Sequence, residues 1–199
     1  SQLKMLKKLA IAACTMTFMV CNLAFAKFVV LDDVHFDKQH SAKNYKIVSV
    51  DNGIPTEIRL KAGDYGYTRM TVKQNKKLVY ITDLLTEDEI HHMERVRDED
   101  SGRIFYLFSQ SRHATAFGYD PVKRTWQEYI NSKNYYAGYD KPHANLIVNK
   151  DNELELSFFV FGDGVQNHIY RFFWDDKANW FGYRDLGYYV FKDGKNQKV

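Results

Sequence analysis

Seven histidines, His35, His40, His91, His92, His113, His143 and His168, are the first side chains here that could carry acid–base or metal chemistry. None has the spacing that such chemistry needs along a chain. His91-His92-Met93-Glu94 lacks the i, i+4 separation that sets two imidazoles on one helix face. His92-x-Glu94 is followed by no cysteine pair of the kind a zinc deaminase uses. From sequence, all seven read as solvated loop residues. No G-x-S-x-G elbow positions a serine nucleophile. Carboxylates crowd the turns, among them Asp32, Asp33, Asp163, Asp175 and Asp176. A glycosidase pair needs a spatial separation of about 5 to 9 Å, and turn formation already accounts for these positions. No catalytic residue is assigned, and an enzyme acting on envelope polysaccharide is kept only as an alternative.

Recognition chemistry is better represented. The chain has 3 Trp, 14 Tyr and 14 Phe, most of them after Asp100. A strand core needs one face, yet both faces of Tyr170 to Trp174 and of Trp180 to Tyr183 are aromatic, and Tyr135, Tyr136 and Tyr139 fall in a polar loop. Exposed Tyr and Trp offer large, rigid contact area with a polar edge, which suits a protein partner or a sugar ring. Tyr135, Tyr136, Tyr139, Asp163 and His168 are the candidate partner contacts, because they lie in loops beside the aromatic units. Two acidic-polar turns hold the candidate metal ligands, Asp98 and Asp100 in one and Asn149, Asp151 and Glu155 at the other. Calcium takes 6 to 8 oxygens, so these sets predict weak calcium binding at most and otherwise no cofactor.

The elements that must position these groups read as strands. Ile58 and Leu60 alternate with Glu57 and Arg59, the period of two that a half-buried strand requires. Thr56–Leu60, Tyr67–Lys73 and Leu78–Asp83 make a first three-stranded unit. Arg103–Phe108, Ala114–Tyr119 and Thr125–Ile130 make a second, and Leu154–Phe161, Ile169–Trp174 and Trp180–Leu186 a third. Phe28–Phe36 and Tyr45–Val50 precede them, and Gly187–Phe191 adds a last strand. Thr86 with Glu89 fits a capping box, so a short helix with Ile90 and Met93 on its apolar stripe is expected between Thr86 and Asp100. Lys192–Val199 reads as a fraying polar tail. The fold class is therefore all-β, an antiparallel meander of three-stranded units, propeller-like, with a β-sandwich as the alternative.

Unit starts at Thr56, Arg103 and Leu154 recur about every 47 to 51 residues, a spacing typical of repeat architectures. An acidic-polar turn precedes each: Asp51-Asn52-Gly53, then Asp98 to Gly102, then Asn149 to Glu153. Tyr119-Asp120 before Trp126 is echoed by Trp174-Asp175 before Trp180. This order of acidic loop, apolar strand, Gly-rich link, aromatic strand and Asp turn, from Asp51 to Leu186, resembles a degenerate FG-GAP repeat, the calcium-loop β-repeat of integrin-type propellers. Bacterial periplasmic lysozyme-inhibitor and immunity proteins are built from related repeats. The resemblance implies a protein-binding domain that blocks a cell-wall hydrolase. The chain departs from the D-x-D-x-D-G pattern: Gly102 stands where a third ligand belongs, and no Gly turns the Asn149 loop.

The ends place the domain. After Met5, Lys7 and Lys8 precede an apolar run from Leu9 to Val20 and then Ala24-Phe25-Ala26, which reads as a cleaved secretory signal over residues 1–26, with a single all-β domain over 27–199. Thr15, Thr17 and Asn22 interrupt the run, so no membrane span is expected after cleavage. Ile11-Ala12-Ala13-Cys14 offers a lipoprotein at Cys14 as the alternative. Three of the 28 basic residues, Lys4, Lys7 and Lys8, lie in the leader, so the remainder balances its 25 acids and nucleic acid is not an expected partner. Both cysteines, Cys14 and Cys21, also lie in it. The expectation is a periplasmic or secreted, non-catalytic binding domain whose partner is an envelope protein, with a glycan-binding module as the alternative.

Overall fold

The computed structural model describes residues 27–84, 89–135, 142–159 and 166–199. The expected leader, with Cys14, lies outside them, as does Thr86. Among the described residues the regular structure is almost wholly strand, arranged in three antiparallel sheets. No helix among the described residues is long and apolar enough to cross a membrane.

Each expected unit is present, the first behind the expected strand at Tyr45–Val50 and the other two with a strand gained in front. β1 (Phe28–His35) comes first and is set aside. The first sheet runs β2 (Asn44–Asp51), β3 (Ile54–Ala62), β4 (Thr68–Gln74) and β5 (Lys77–Leu84), neighbour to neighbour. The central sheet is β6 (Ile90–Asp98), β7 (Ile104–Gln110), β8 (Ala114–Asp120) and β9 (Thr125–Asn131), with β1 returning to pair with β6 at its edge. The third is β10 (His143–Val148), β11 (Leu154–Phe159), β12 (Gln166–Asp175), β13 (Trp180–Lys192) and β14 (Lys195–Lys198).

Turn chemistry sets these registers. Asn52 and Gly53 both take positive φ, 51° and 83°, the conformation of a two-residue hairpin that matches strand twist. The β8–β9 hairpin of the central sheet and the β12–β13 hairpin of the third are built alike, on a longer turn. Asp120 Oδ1 accepts the amides of Val122 and Lys123, and Asp175 Oδ1 those of Lys177 and Ala178. Arg124 and Asn179 then each turn back with positive φ. The aromatic-Asp echo seen in the sequence is thus one hairpin used twice.

The sheets stack face to face, the sandwich alternative extended to three layers. β7 alternates between two cores: Phe105 and Leu107 join residues of the third sheet such as Leu146, Leu156, Phe172 and Trp174, while Tyr106 and Phe108 join Ile58, Leu60, Met70 and Val72 of the first. A strand covered on both sides must be apolar on both, so Ile104 to Phe108 reads as a continuous run. Two sequence expectations are corrected. Ile90 to Asp98 is strand β6, not helix, because Met93 serves one core and Val96 the other. The tail is ordered as β14 against β13, which itself runs unbroken through Gly187.

The two interfaces are held differently. Between the first and central sheets, Asp51 accepts two bonds from Arg95, at 3.0 and 2.7 Å, and one from the Tyr106 hydroxyl at 2.5 Å, with Ser49 beside it at 2.9 Å. Burial, followed by the charge of Asp51, raises the Tyr106 hydroxyl well above the usual tyrosine range. Between the central and third sheets, Phe105 packs on Phe181, Trp174 and Tyr129 with ring centroids 4.6, 5.2 and 5.3 Å away. At one end of that interface, Arg103 lies 4.8 Å over the Trp174 ring and reaches Asn179, which donates to Asp120.

Candidate functional site

The inner face of the third sheet extends past the central sheet, and its uncovered part is aromatic. On β12 and β13 the register brings Phe172 opposite Tyr183, Tyr170 opposite Asp185 and His168 opposite Tyr188. An irregularity between Ile169 and Tyr170 leaves Leu186 without a partner, and Gly187 takes φ 79° there. A bulge of this kind bends the strand and re-aims the side chains after it, which carries Tyr188 over His168. Asp185 Oδ1 fixes the corner by accepting both the Gly187 amide at 2.9 Å and His168 Nε2 at 2.7 Å.

His168 lies between two rings, Tyr170 and Tyr188, each with its centroid 4.5 Å away and tilted by about 30°. Tyr135 closes the other side. Its ring meets Tyr170, Phe172 and Tyr183 at 5.5, 5.2 and 5.1 Å, and its carbonyl accepts the Tyr170 hydroxyl at 2.9 Å. Burial raises the hydroxyl pKa of both Tyr135 and Tyr170, so each stays a neutral donor. The hydrogen bond from His168, with that of the Gly187 amide, outweighs partial burial and lowers the Asp185 carboxyl. Tyr183 and Tyr188 remain about half exposed, at 53% and 51%. The result is a fixed aromatic shelf with a carboxylate at its rim.

Of the five expected partner contacts, Tyr135 and His168 come together here, on either side of Tyr170. Tyr136, Tyr139 and Asp163 lie outside the described residues. His168 sits in strand β12, not in a loop. Tyr183, Asp185 and Tyr188 were missed as site residues, because only the bulge at Gly187 places them on one face, and the signal in the sequence was Gly187 itself inside an aromatic run.

The candidate calcium ligands occupy the expected hairpins, and the turns draw on them for hydrogen bonds. Asp98 Oδ2 accepts from the Ser101 amide and hydroxyl at 3.0 and 2.6 Å. Asn149 Oδ1 accepts the amides of Asp151 and Glu153 at 2.9 and 3.0 Å. Burial raises the carboxyls of Asp98 and Glu155, which opposes the charge a hard cation would need. Asp100 and Asp151 are exposed at the turn tips.

A second histidine–carboxylate group stands at the margin of the central sheet. His35 on β1 is directly opposite His92 on β6, with Asp33 opposite Glu94. Asp33 Oδ1 lies 2.5 Å from His92 Nε2 and 3.4 Å from His35 Nε2. Glu94, next on the same face, accepts the Val148 amide at 3.0 Å. Burial, reinforced by the charge of Asp33, pushes its carboxyl up to about 7, against the effect of that amide. The sequence reading of the histidines as solvated loop residues is corrected for His35, His91, His92, His143 and His168, which lie in strands. No family model, curated protein or solved structure matches the chain.

Proposed function

We propose that the chain is a non-catalytic recognition domain of the bacterial envelope, periplasmic or secreted, that holds a protein partner on the shelf formed by Tyr135, His168, Tyr170, Tyr183, Asp185 and Tyr188. The observation that carries this reading is the half-exposure of Tyr183 and Tyr188 on a backbone and side-chain framework that is otherwise locked. Protein interfaces favour such rigid aromatic anchors, since little side-chain entropy is lost when they are covered. The signal-like residues 1–26 support the compartment, and the resemblance to inhibitor repeats supports a peptidoglycan hydrolase as partner. Calcium has no part in this reading beyond weak binding at the acidic turns.

The test is a turnover assay of purified peptidoglycan hydrolases with the chain added in excess. Stoichiometric inhibition that is lost in the Tyr183→Ala, Tyr188→Ala double variant is expected. Undiminished turnover across hydrolases of different bond specificity would overturn the inhibitor role.

A glycan-binding module is the second reading, favoured by the carboxylate of Asp185 between two exposed rings. A sugar can stack on tyrosine while its hydroxyls donate to a carboxylate. Titration with cell-wall oligosaccharides, followed by Tyr188 and His168 ring resonances, separates the two: saturable shifts with no protein complex support the glycan.

A further inference from the structure

We propose that Asp33, His35 and His92 form a binding site for a divalent transition metal of the zinc class. This inference is independent of the aromatic shelf. It begins with register. The Phe36 amide donates to the His91 carbonyl at 2.9 Å, which makes Phe36 and His91 the hydrogen-bonded pair. His35 and His92 are then a non-hydrogen-bonded pair, the kind whose side chains stand closest in an antiparallel ladder. Their rings lie parallel, 8° apart, with centroids separated by 4.3 Å. Asp33 is two residues before His35 and shares its face.

Asp33 Oδ1 lies near both Nε2 atoms, 2.5 Å from that of His92 and 3.4 Å from that of His35, and one ligand atom from each of the three residues lies within 4.8 Å of the others.

The distances agree with a metal there. Zinc holds imidazole nitrogen and carboxylate oxygen at about 2.0 to 2.2 Å, so tetrahedral ligand atoms sit about 3.3 Å apart. The Asp33–His35 contact of 3.4 Å already matches. The Asp33–His92 contact of 2.5 Å must open by under an ångström, and the exposed His35 ring must turn out of its stack on His92, because an imidazole binds a metal in the plane of its ring.

Ligand type chooses the metal. Two imidazoles with a carboxylate suit zinc, copper or nickel and are poor partners for calcium or magnesium, which prefer all-oxygen shells. His92, with a side chain only 11% exposed, is the fixed member, and His35, 74% exposed, closes from solvent. Three protein ligands leave a fourth position for water or a ligand from outside, the open arrangement of non-structural zinc sites.

The experiment is a zinc titration of the full chain after chelator treatment, read on the imidazole nitrogen resonances so that thiolates at Cys14 and Cys21 do not enter the signal. Saturable shifts of His35 and His92 at one equivalent are expected, with none on adding calcium. His35→Ala and Asp33→Asn should each weaken zinc binding about tenfold or more, while His40→Ala should not. Thermal melts of each variant without metal confirm folding, and exposed His35 makes loss of fold a minor risk. Unshifted His35 and His92 rings under saturating zinc, or unchanged affinity in His35→Ala, would overturn the site.

Discussion

The two faces of the central sheet are built on different physics. Toward the first sheet, an apolar core around Ile58, Leu60, Met70 and Phe108 is joined, at the end of β2, by a polar knot in which Asp51, Arg95, Tyr106 and Ser49 satisfy one another. Toward the third sheet, the middle is a cluster of rings around Phe105, and histidine–carboxylate pairs stand beyond it, Asp33–His92 at the margin of one sheet and Asp185–His168 on the overhang of the other. Polar groups that satisfy one another between two sheets are consumed there, while those beyond the edge of the aromatic interface stay accessible, and both candidate sites stand there.

The comparison can be broken most directly at Phe105. Phe105→Ala should cost about 3 to 5 kcal/mol in urea unfolding, the usual price of emptying an aromatic site in a packed core. A loss near 1 kcal/mol would mean that the rings do not dominate that face. Arg95→Ala should cost about 3 kcal/mol, because it leaves Asp51 buried without its ion pair. Replacing Arg95 and Asp51 together by apolar residues should recover much of that loss, a result with no counterpart on the aromatic side. Tyr106→Phe removes one donor from a carboxylate that keeps two others, and about 1 to 2 kcal/mol is expected. Tyr183→Ala, on the exposed shelf, should change stability by only about 0.5 kcal/mol while abolishing partner inhibition.

The smallest effect is one of pH. The Asp185 carboxyl titrates lower in the folded chain than its unfolded value of about 3.9. A depressed acid stabilises fully above that value and loses its contribution as pH falls through the folded one. Asp185→Asn should therefore lower stability slightly at neutral pH and converge with the unsubstituted chain as pH falls below about 4, where the carboxylate has already lost its contribution. A destabilisation of equal size at pH 7 and pH 3 would show that the His168 bond does not depend on the carboxylate charge.

Much of this molecule was legible along the chain. The nine strands of the three units emerged from alternation and turn residues, since Asp51-Asn52-Gly53 and Tyr119-Asp120-Pro121 fix their hairpins locally. The misread segment, Ile90 to Asp98, shows why legibility ends. Ile90, Met93 and Val96 are spaced three apart, as on a helix, because a register irregularity follows Ile90 and the strand feeds two cores. Periodicity assumes one apolar face, and the middle layer of a stack has two. The sites failed to appear for a second reason: His35 and His92 meet only through the β1–β6 pairing, and Tyr188 reaches His168 only through the bulge at Gly187. Long-range register leaves no mark in local spacing.

The return of β1 to the central sheet has a kinetic consequence. β2 to β5 can zip from hairpin to hairpin, each strand meeting one just made, whereas β1 must wait until β6 exists beyond the whole first sheet. Loop closure of that length is slow compared with a hairpin. β1 therefore docks late, and its arrival brings Asp33 and His35 to His92. A metal ion taken up there would bind only chains whose central sheet is complete, and would hold shut the strand that closed last.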